Sequence, residues 1–587
     1  MPQALSRELA RFVEITPASG TREKAVHALI VGTVTIGALS AVVGIPLGLT
    51  GMTGIFLAIS AYDRSLRSRA RVLWRLSLAY LLVVAIGAWS SLLPGWAGVI
   101  VLAVLATVVA FGYHALLSDP PGPMLLIIGA AVASYIPTLG VPIPLFIGLT
   151  AASLVIGCGT SLILQSRHRR AAVRRQLDAL RTAVQELKAL PTDTDEQTWA
   201  THCDAAFAAV FAAQASLASS SPRRRIGVGA ASEPGAEHLR IEDELHAEHA
   251  ELLALVARRD LPWASISSSA MSDHYIGAPR EKYLLGWALS RASPVALAAR
   301  RTGLAVLIAG EFATILGLAH PYWAVMTAAL VLSSTADRIS TSRRAAHRVV
   351  GTLAGVLIFL AIFALHPPEV VVAGIVVCCV ALTQVFAPRH YALTTTVMTP
   401  MPLLMAAMHL TGSANVAALA QSRIVETVIG SIATMLVLWA QGPGTVIVLV
   451  RRQFRRALTA ADTVLRQMAA DPSPAASIEA RRNLHFEQLA AARALALALP
   501  DQPEALGGWP AVEAELSRLT YTVLTAARAV NPERVLAWNR MADSLEGYLA
   551  SLPAVSSKPV DAAAAAHALA RVRARARPRD QRENRRR

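Results

Sequence analysis

The chain has 587 residues, of which 54% are hydrophobic and only 16% are charged, and its formal net charge is +16. Soluble domains carry about 25% charged residues, so this composition argues against a cytosolic globular protein. The four cysteines include no Cys-x-x-Cys pair, which argues against a disulfide framework and a thiolate zinc site. The long apolar runs indicate a polytopic membrane protein instead.

Because a bilayer core is crossed by about 20 apolar residues in a helix, the apolar runs predict two sets of six spans. The first set is 25–48, a short segment at 51–61, 76–93, 97–117, 124–136 and 145–164. The second set is 302–318, a short segment at 322–336, 349–364, 370–386, 391–410 and 424–440. The first run is too long for the apolar part of a cleavable signal, so we expect it to remain as an anchor.

The two sets have the same order and follow one another in the same orientation. Asp63-Arg64 and Asp337-Arg338 stand 274 positions apart, and each pair opens an arginine cluster, expected in a loop, that leads into a long span. Each set ends in a polar segment whose apolar residues recur at helical spacing. The expected fold is therefore all-α, with two tandem six-helix transmembrane units, each followed by a cytoplasmic helical segment.

Arginine placement predicts the orientation. The arginine clusters at 64–75, 167–175, 338–348 and 451–456 all lie on one side if both termini are cytoplasmic. The expected location is the plasma (inner) membrane. The predicted organisation is a cytoplasmic N-terminus (1–24), a first transmembrane unit (25–165), a helical segment with linkers (166–295), a second transmembrane unit (296–450), a cytoplasmic helical domain (451–570) and an arginine-rich disordered tail (571–587).

Glu311 lies in the middle of an apolar span. A carboxylate there costs a few kcal/mol to insert, so it should face a cavity or a cation. It is either a proton-titrating or gating acid, or the structural partner of an arginine on a neighbouring helix.

Arg423 and Glu426 are spaced i, i+3 and so share one face of the last span. The spacing favours a local ion pair that orients the helix. The alternative is that Arg423 contacts an anion at the outer side of the membrane.

The two short segments are the strongest indication of a transport site, because interrupted segments at matching positions of two repeats mark such sites. His320-Pro321 precedes the second segment, and Asp337 stands just after it. The arginines nearby either favour anions beside an aqueous path or only set topology; the candidates are Arg64, Arg69, Arg343 and Arg348. Tyr322 and Trp323 either anchor at the membrane interface or stack on an aromatic ring.

The sequence contains no enzyme signature. The Gly227-Val228-Gly229 stretch follows three arginines rather than a strand, so it is not a dinucleotide loop. We therefore expect no enzyme activity, no cofactor and no metal site.

The Gly351 to Gly355 GxxxG element indicates close helix packing.

Several motifs of the second half together resemble the fusaric acid resistance (FUSC) family. They are His320-Pro321-Tyr322-Trp323, the segment 348–355 with its GxxxG element, Tyr391-Ala392-Leu393 leading to Thr399-Pro400, and the segment 423–430. The first half shares only the span order and the arginine cluster. One departure is Ser333-Ser334-Thr335, where the family would have a proline-containing turn.

The resemblance implies an exporter of aromatic or other organic acids, and the similar plant malate channels imply a pseudo-dimer around a basic pore. The expected partners are the lipid bilayer and a small organic anion, and a homo-oligomer or a periplasmic adaptor is compatible with the sequence; nucleic acid is not expected. Two alternatives stay open. One is an organic-anion channel of the same fold, and the other is a membrane scaffold that acts through its cytoplasmic helices.

Overall fold

The structure is a computed structural model of the chain. It describes residues 15, 20–116, 122–167, 171–191, 193–220, 236–260, 279–290, 293–332, 337–408, 413–440, 442, 444–471, 477–526, 532–553 and 558–575. Within these ranges the protein is all-α, as predicted, with α-helices and short 3₁₀ turns and no strand. The Ser333-Ser334-Thr335 departure and most of the arginine-rich tail lie outside the described residues.

The chain divides into two compact units. The membrane unit consists of Met1–Tyr62, Ser68–Arg169 and Ala288–Gln441. The polar unit consists of Asp63–Arg67, Arg170–Trp287 and Gly442–Arg587. Both predicted sets of spans therefore belong to one unit, and both polar segments belong to the other.

The membrane unit begins with the first set of helices. They are α1 (Thr21–Val43), α2 (Ile45–Gly48), a 3₁₀ turn (Leu49–Gly51), α3 (Met52–Ala58), α4 (Leu66–Ser90), α5 (Gly95–Leu116), α6 (Met124–Ala133), a 3₁₀ turn (Ile136–Leu139) and α7 (Ile143–Ser166).

Three helices of the polar unit come next: α8 (Ala171–Ala189), α9 (Glu196–Ser220) and α10 (Ala236–Asp260). A short helix, α11 (Glu281–Ala288), leads back to the membrane unit. The second set is α12 (Pro294–Ile315), α13 (Tyr322–Leu332), α14 (Arg338–Ala364), α15 (Glu369–Phe386), α16 (Tyr391–Met398), α17 (Pro400–Ala407) and α18 (Ser413–Ala440).

The protein is a multi-pass membrane protein. Seven helices in the described part of the chain have the length and apolar composition needed to cross a bilayer, and three apolar segments are shorter: Ile45–Ala58, Met124–Leu139 and Tyr322–Leu332. The short segments predicted at 51–61 and 322–336 are thus present as short helices. The order of long and short helices is similar in the two sets, and the tandem six-helix duplication itself stays a prediction.

The two sets pack against each other rather than standing apart. Helix α12 of the second set lies along α5 of the first, and α1 of the first set lies along α15 of the second. Their buried apolar side chains join in common clusters, for example Ala106 with Ala309 and Val31 with Val377. Each set therefore buries part of its apolar surface against the other.

Most arginines of the clusters at 64–75 and 338–348 lie on helices, which corrects their expected placement in loops. Helix α4 begins at Leu66 and α14 begins at Arg338, so most of these arginines extend the spans by several turns. Arginine and alanine favour helix, and long cationic side chains can extend away from the apolar part of a helix. Asp337 caps α14, because its carboxylate accepts the Ser340 backbone N–H at 2.5 Å.

The span predicted at 391–410 is broken. Helix α16 ends at Met398 and α17 begins at Pro400, because proline has no N–H to continue the helical ladder. The close packing expected from the GxxxG element is confirmed. A Cβ added at Gly351 would lie 2.5 Å from the Ala392 carbonyl oxygen, so only glycine lets α14 approach α16 this closely.

The polar unit is completed by five helices and a short helical turn. These are α19 (Gly444–Ala470), α20 (Ile478–Ala498), α21 (Pro503–Leu506), α22 (Trp509–Ala526), α23 (Pro532–Ser551) and α24 (Ala562–Ala574). Apolar residues recur at helical spacing in the segments 173–190, 478–499 and 512–530, which predicts a helix in each; in the described residues these helices are α8, α20 and α22. Helix α24 runs four residues into the predicted disordered tail, since Val572 is buried and Arg573 pairs with Glu515 at 3.3 Å.

Candidate functional site

A buried arginine lies against an aromatic side chain inside the membrane unit. Arg423, on α18, is 2% exposed, and its guanidinium carbon lies 5.0 Å from the centre of the Trp323 ring on α13. Its Nε and Nη1 atoms are buried and have no hydrogen-bond partner. A buried charge without partners is unfavourable, so two donors are held available for an acceptor from outside the chain.

Glu426 lies one turn along α18 and is fully buried. Its Oε1 accepts hydrogen bonds from the Ser422 hydroxyl at 2.7 Å and from the His320 backbone N–H at 3.1 Å. Its Oε2 has no partner. The local ion pair expected between Arg423 and Glu426 is not formed among the described side chains, because Glu426 is held by Ser422 and His320 while Arg423 lies over Trp323.

The two helices that carry these groups can approach because of Gly430. A Cβ at this position would lie 2.5 Å from the Ala324 carbonyl oxygen. Glycine therefore brings α18 against α13 and sets the Arg423 guanidinium beside the Trp323 ring.

Aromatic side chains surround the pair. The His320 and Trp323 rings stack at 4.8 Å, and the Tyr135 and Tyr322 rings stack at 4.6 Å. Trp323 is 0% exposed, which argues against the membrane-interface alternative for this residue. Tyr135 and His320 are only half-buried and form the accessible side of the cluster.

The structure adds two residues that the sequence analysis did not name. Tyr135 follows α6 in the first set and donates or accepts a hydrogen bond with His320 Nε2 at 3.0 Å. Ser422 stands one residue before Arg423 and contacts His320 Nδ1 at 3.2 Å. A polar side chain at the end of an apolar run was the only sequence signal for Tyr135, and such residues are common at helix ends.

Arg348 is buried in the same region, whereas Arg343 is not buried to the same extent. Arg348, on α14, is 2% exposed, its Nε has no partner, and its charge acts on that of Arg423. Arg343 is half-buried. Two buried guanidinium groups and one carboxyl group thus meet where α14, α18 and α13 pack.

Glu311 lies on α12, away from this cluster. Its Oε1 is buried without a hydrogen-bond partner, and no arginine forms an ion pair with it in the described part of the chain. The alternative of a structural Glu–Arg pair is therefore not seen. A carboxyl group without a counter-charge is costly in a membrane helix, so Glu311 remains a candidate residue.

The first-set arginines have different environments. Arg69 is 0% exposed and donates hydrogen bonds to the Ala58 and Ser60 carbonyl oxygens, the Ser161 hydroxyl and the Gln165 side chain. Arg64 is half-buried and belongs to the polar unit. The Asp337 carboxylate caps the N-terminus of α14 by accepting a hydrogen bond from a backbone N–H. Of the candidate residues, the structure brings together His320, Tyr322, Trp323, Arg348, Arg423 and Glu426.

The arrangement suits recognition of an anion. Guanidinium donors match a carboxylate or a phosphate, and the surrounding rings offer apolar faces and edges. Among the residues that the structure describes, no three His, Cys, Asp or Glu side chains are grouped as a metal site would require.

The comparisons with known proteins agree with the resemblance seen in the sequence. Residues 305–437 match the family described as fusaric acid resistance protein-like. A stretch of 159 residues, 27% of the chain, is 30% identical to an uncharacterized membrane protein, YvaC, of Bacillus subtilis (strain 168), and the match spans only 25% of that protein's length. No solved structure matches the chain significantly. The matched region contains Trp323, Arg348, Arg423 and Glu426, and this part of the chain is similar to the fusaric acid resistance protein-like family.

Proposed function

We propose that this protein is an inner-membrane transporter that moves organic carboxylates, aromatic ones in particular, out of the cytoplasm. The observation that carries the proposal is the buried Arg423 guanidinium, which has two unpartnered nitrogen atoms beside Trp323. The match of residues 305–437 to the fusaric acid resistance-like family supports a transport role.

Electrostatics favours an anion as the ligand. Arg423 and Arg348 carry two positive charges, and Glu426 offsets one of them only when it is ionised. Inserting an arginine costs a few kcal/mol even on the most lenient scales, and an anion between the two guanidinium groups would offset that cost. A planar carboxylate matches a guanidinium group better than a spherical ion does.

The neighbouring rings favour an aromatic ligand. Tyr135 and His320 form the accessible side of the cluster, so a ring attached to the carboxylate would pass along these side chains on its way to Arg423. Aromatic pairs contribute about 0.5–1.5 kcal/mol beyond the area that they bury. Aliphatic acids of equal charge should therefore bind more weakly.

The proposed location is the plasma membrane, with both termini in the cytoplasm. The arginine clusters on α4 and α14 support this orientation under the positive-inside rule. In this orientation they would also attract anions to the cytoplasmic mouth of the pathway.

Loss of labelled p-hydroxybenzoate from loaded cells tests the proposal. Cells that make the protein should lose the label faster than cells that do not, and Arg423→Gln or Arg348→Gln should remove the difference at equal membrane levels. Arg300→Gln is the matched control, because Arg300 is exposed and donates only to a carbonyl oxygen of its own helix. Equal rates across a panel of aromatic acids, with and without the protein, would contradict the proposed substrate class.

A further inference from the structure

Four polar side chains form a continuous hydrogen-bonded series in the membrane unit. The Tyr135 hydroxyl lies 3.0 Å from His320 Nε2, His320 Nδ1 lies 3.2 Å from Ser422 Oγ, and Ser422 Oγ lies 2.7 Å from Glu426 Oε1. The series runs from a half-buried tyrosine to a fully buried carboxyl group.

The donor and acceptor of each hydrogen bond can be assigned by starting from Glu426, the last acceptor of the series. Oε1 of Glu426 accepts, so the Ser422 hydroxyl donates to it and must itself accept from His320 Nδ1–H. A neutral imidazole with its proton on Nδ1 has Nε2 free to accept, so the Tyr135 hydroxyl donates to Nε2. We assign this tautomer from the hydrogen-bond network. Every donor in the series thus points toward Glu426.

Glu426 is well placed to exchange a proton, because its environment leaves its charge only partly compensated. Arg423 is on the same helix but forms no ion pair with it among the described side chains. The titratable groups that face it from other elements are His320, Tyr322 and Tyr135, and Arg348 acts on it from α14 through its effect on Arg423.

We propose that Tyr135, His320 and Ser422 form a proton relay to Glu426, and that a proton on Glu426 and an organic anion at Arg423 bind cooperatively. This inference rests on the proposed function and names the group that couples the anion site to protons. In one passage the Tyr135 proton moves to His320 Nε2, the Nδ1 proton moves to Ser422 Oγ, and the serine proton moves to Glu426 Oε1. Tyr135 regains a proton from hydronium at its exposed side, so one proton crosses from water to Glu426.

The cooperativity has an electrostatic cause. Ionised Glu426 would repel an anion that approaches Arg423 and would offset the arginine charge. Protonated Glu426 is neutral, so both guanidinium groups act on the anion alone. By linkage, the anion must then strengthen proton binding by the same factor as the proton strengthens anion binding. This sign is the same from whichever side of the membrane the anion arrives.

Equilibrium binding of labelled p-hydroxybenzoate to the purified full-length protein tests the linkage between about pH 6 and about pH 8. The probe keeps one negative charge over this range, because carboxyl groups ionise near pH 4 and phenols near pH 10. The wild-type dissociation constant should fall as the pH falls, by up to roughly tenfold per pH unit where Glu426 titrates. In weakly buffered solution, addition of the probe should cause proton uptake in the same range.

Glu426→Gln imitates the protonated state. This variant should bind the probe about as tightly as the wild type at low pH, and its affinity should not change with pH. Glu369→Gln is the matched control, since Glu369 is an exposed carboxylate at the start of α15, and it should keep the wild-type pH dependence. Ser422→Ala and Tyr135→Phe interrupt the relay but leave Glu426, so they should keep the equilibrium dependence and slow uptake after a pH jump by roughly tenfold, equivalent to about 1.4 kcal/mol of barrier.

The outcomes separate the two proposals. Saturable binding that does not depend on pH, with no proton uptake by the wild type, would overturn the linkage and leave the anion site intact. A pH dependence that survives Glu426→Gln would overturn the role of Glu426. Absence of saturable binding by the wild type at every pH would overturn the proposed function and the linkage together. The proton-uptake measurement needs only the wild type and stays decisive if Glu426→Gln fails to fold.

Discussion

Arg69 and Arg423 are two arginines buried to nearly the same extent in the same membrane unit, and their surroundings are opposite. Arg69 donates to two carbonyl oxygens, a hydroxyl and an amide oxygen. Arg423 lies over an aromatic ring and leaves Nε and Nη1 without partners. Burial alone therefore does not separate these two arginines; the number of satisfied hydrogen-bond donors does.

The repeat register sharpens the contrast. If the two sets are aligned on Asp63-Arg64 and Asp337-Arg338, as the predicted duplication requires, Arg348 and Arg423 fall opposite Trp74 and Leu149, which carry no charge. Arg69 corresponds to Arg343, which is only half-buried. In the first set the buried Arg69 links α4 to α3 and α7, whereas in the second set Arg348 Nε and Arg423 Nε and Nη1 have no hydrogen-bond partner. The proposed anion site therefore uses arginines of the second set alone.

Removal of Arg69 is expected to give the largest loss of stability. In Arg69→Met, the Ala58 carbonyl oxygen and the Ser161 hydroxyl would be left in a buried place with fewer partners. The free energy of unfolding should fall by about 3 kcal/mol. Detergent titration of the purified protein measures the loss. A variant as stable as the wild type would contradict the structural role.

Arg423→Met should have the opposite pattern, with little change in stability and loss of binding. Replacing an unpaired buried charge with an apolar side chain is often neutral or stabilising. Saturating p-hydroxybenzoate should stabilise the wild type by about 2.7 kcal/mol at a hundredfold excess over the dissociation constant. The same ligand should leave the unfolding midpoint of Arg423→Met unchanged. Ligand stabilisation of this variant would place the anion elsewhere.

The close approach of α18 to α13 can be broken at Gly430. Because the added Cβ of Gly430→Ala would lie 2.5 Å from the Ala324 carbonyl oxygen, the helices must separate. The expected cost is about 2 kcal/mol, together with weaker anion binding, since Arg423 moves away from Trp323. Gly374→Ala is the control, because a Cβ there meets nothing within 4 Å and should be neutral or slightly stabilising. Thermal unfolding and probe binding of both variants decide the matter.

The polar unit contains a third kind of buried ionisable group, the neighbouring carboxyl groups of Asp204 and Glu513. The hydrogen-bond partners around this pair favour only one of its protonation states. Asp204, on α9, accepts hydrogen bonds from Tyr521 at 2.6 Å and Gln488 at 3.2 Å, and from Ser517. Burial, with the nearby Asp204 carboxylate, raises the pKa of Glu513 from 4.5 to about 8. Burial also raises the pKa of Asp204.

The sign of the pH dependence follows from that raised pKa. The folded state holds the Glu513 proton more tightly than the unfolded state, so the stabilisation is complete below about pH 4.5 and is lost as the pH rises toward about 8. Over this pH range we expect the free energy of local opening of α9 and α22 to change by about 1 kcal/mol. Amide hydrogen exchange, corrected for the pH dependence of the intrinsic exchange rates, measures this change. Glu513→Gln should remove the change, and Glu504→Gln, an exposed carboxylate, should keep it. Exchange that is independent of pH in the wild type would contradict this assignment.

Much of the architecture followed from local chemistry. Apolar runs of bilayer length predicted the long spans, and the breaker His320-Pro321 indicated one interruption. The break at Pro400 was missed, although proline has no N–H to continue the helical ladder. The arginine-rich stretches were the main error: their polarity suggested loops, but helix propensity and packing extend α4 and α14 through them. Polarity marks where a helix meets water more reliably than where it ends.

Apolar runs and helical periodicity predicted an all-α multi-pass membrane protein, the motifs of the second half resembled the fusaric acid resistance family, and Trp323, Arg348 and Arg423 were among the candidate residues. Periodicity and hydropathy are local properties of a sequence, so one sequence is sufficient to recognise them. Helix packing, in contrast, was needed to show that Arg69 is fully hydrogen-bonded while Arg423 is not, that Arg423 and Glu426 form no ion pair among the described side chains, and that Tyr135 joins the cluster from a segment nearly two hundred residues away. These contacts depend on which side chains meet after the helices pack. Each side chain adopts a rotamer that suits its neighbours, and the spacing of residues in the sequence does not specify those neighbours.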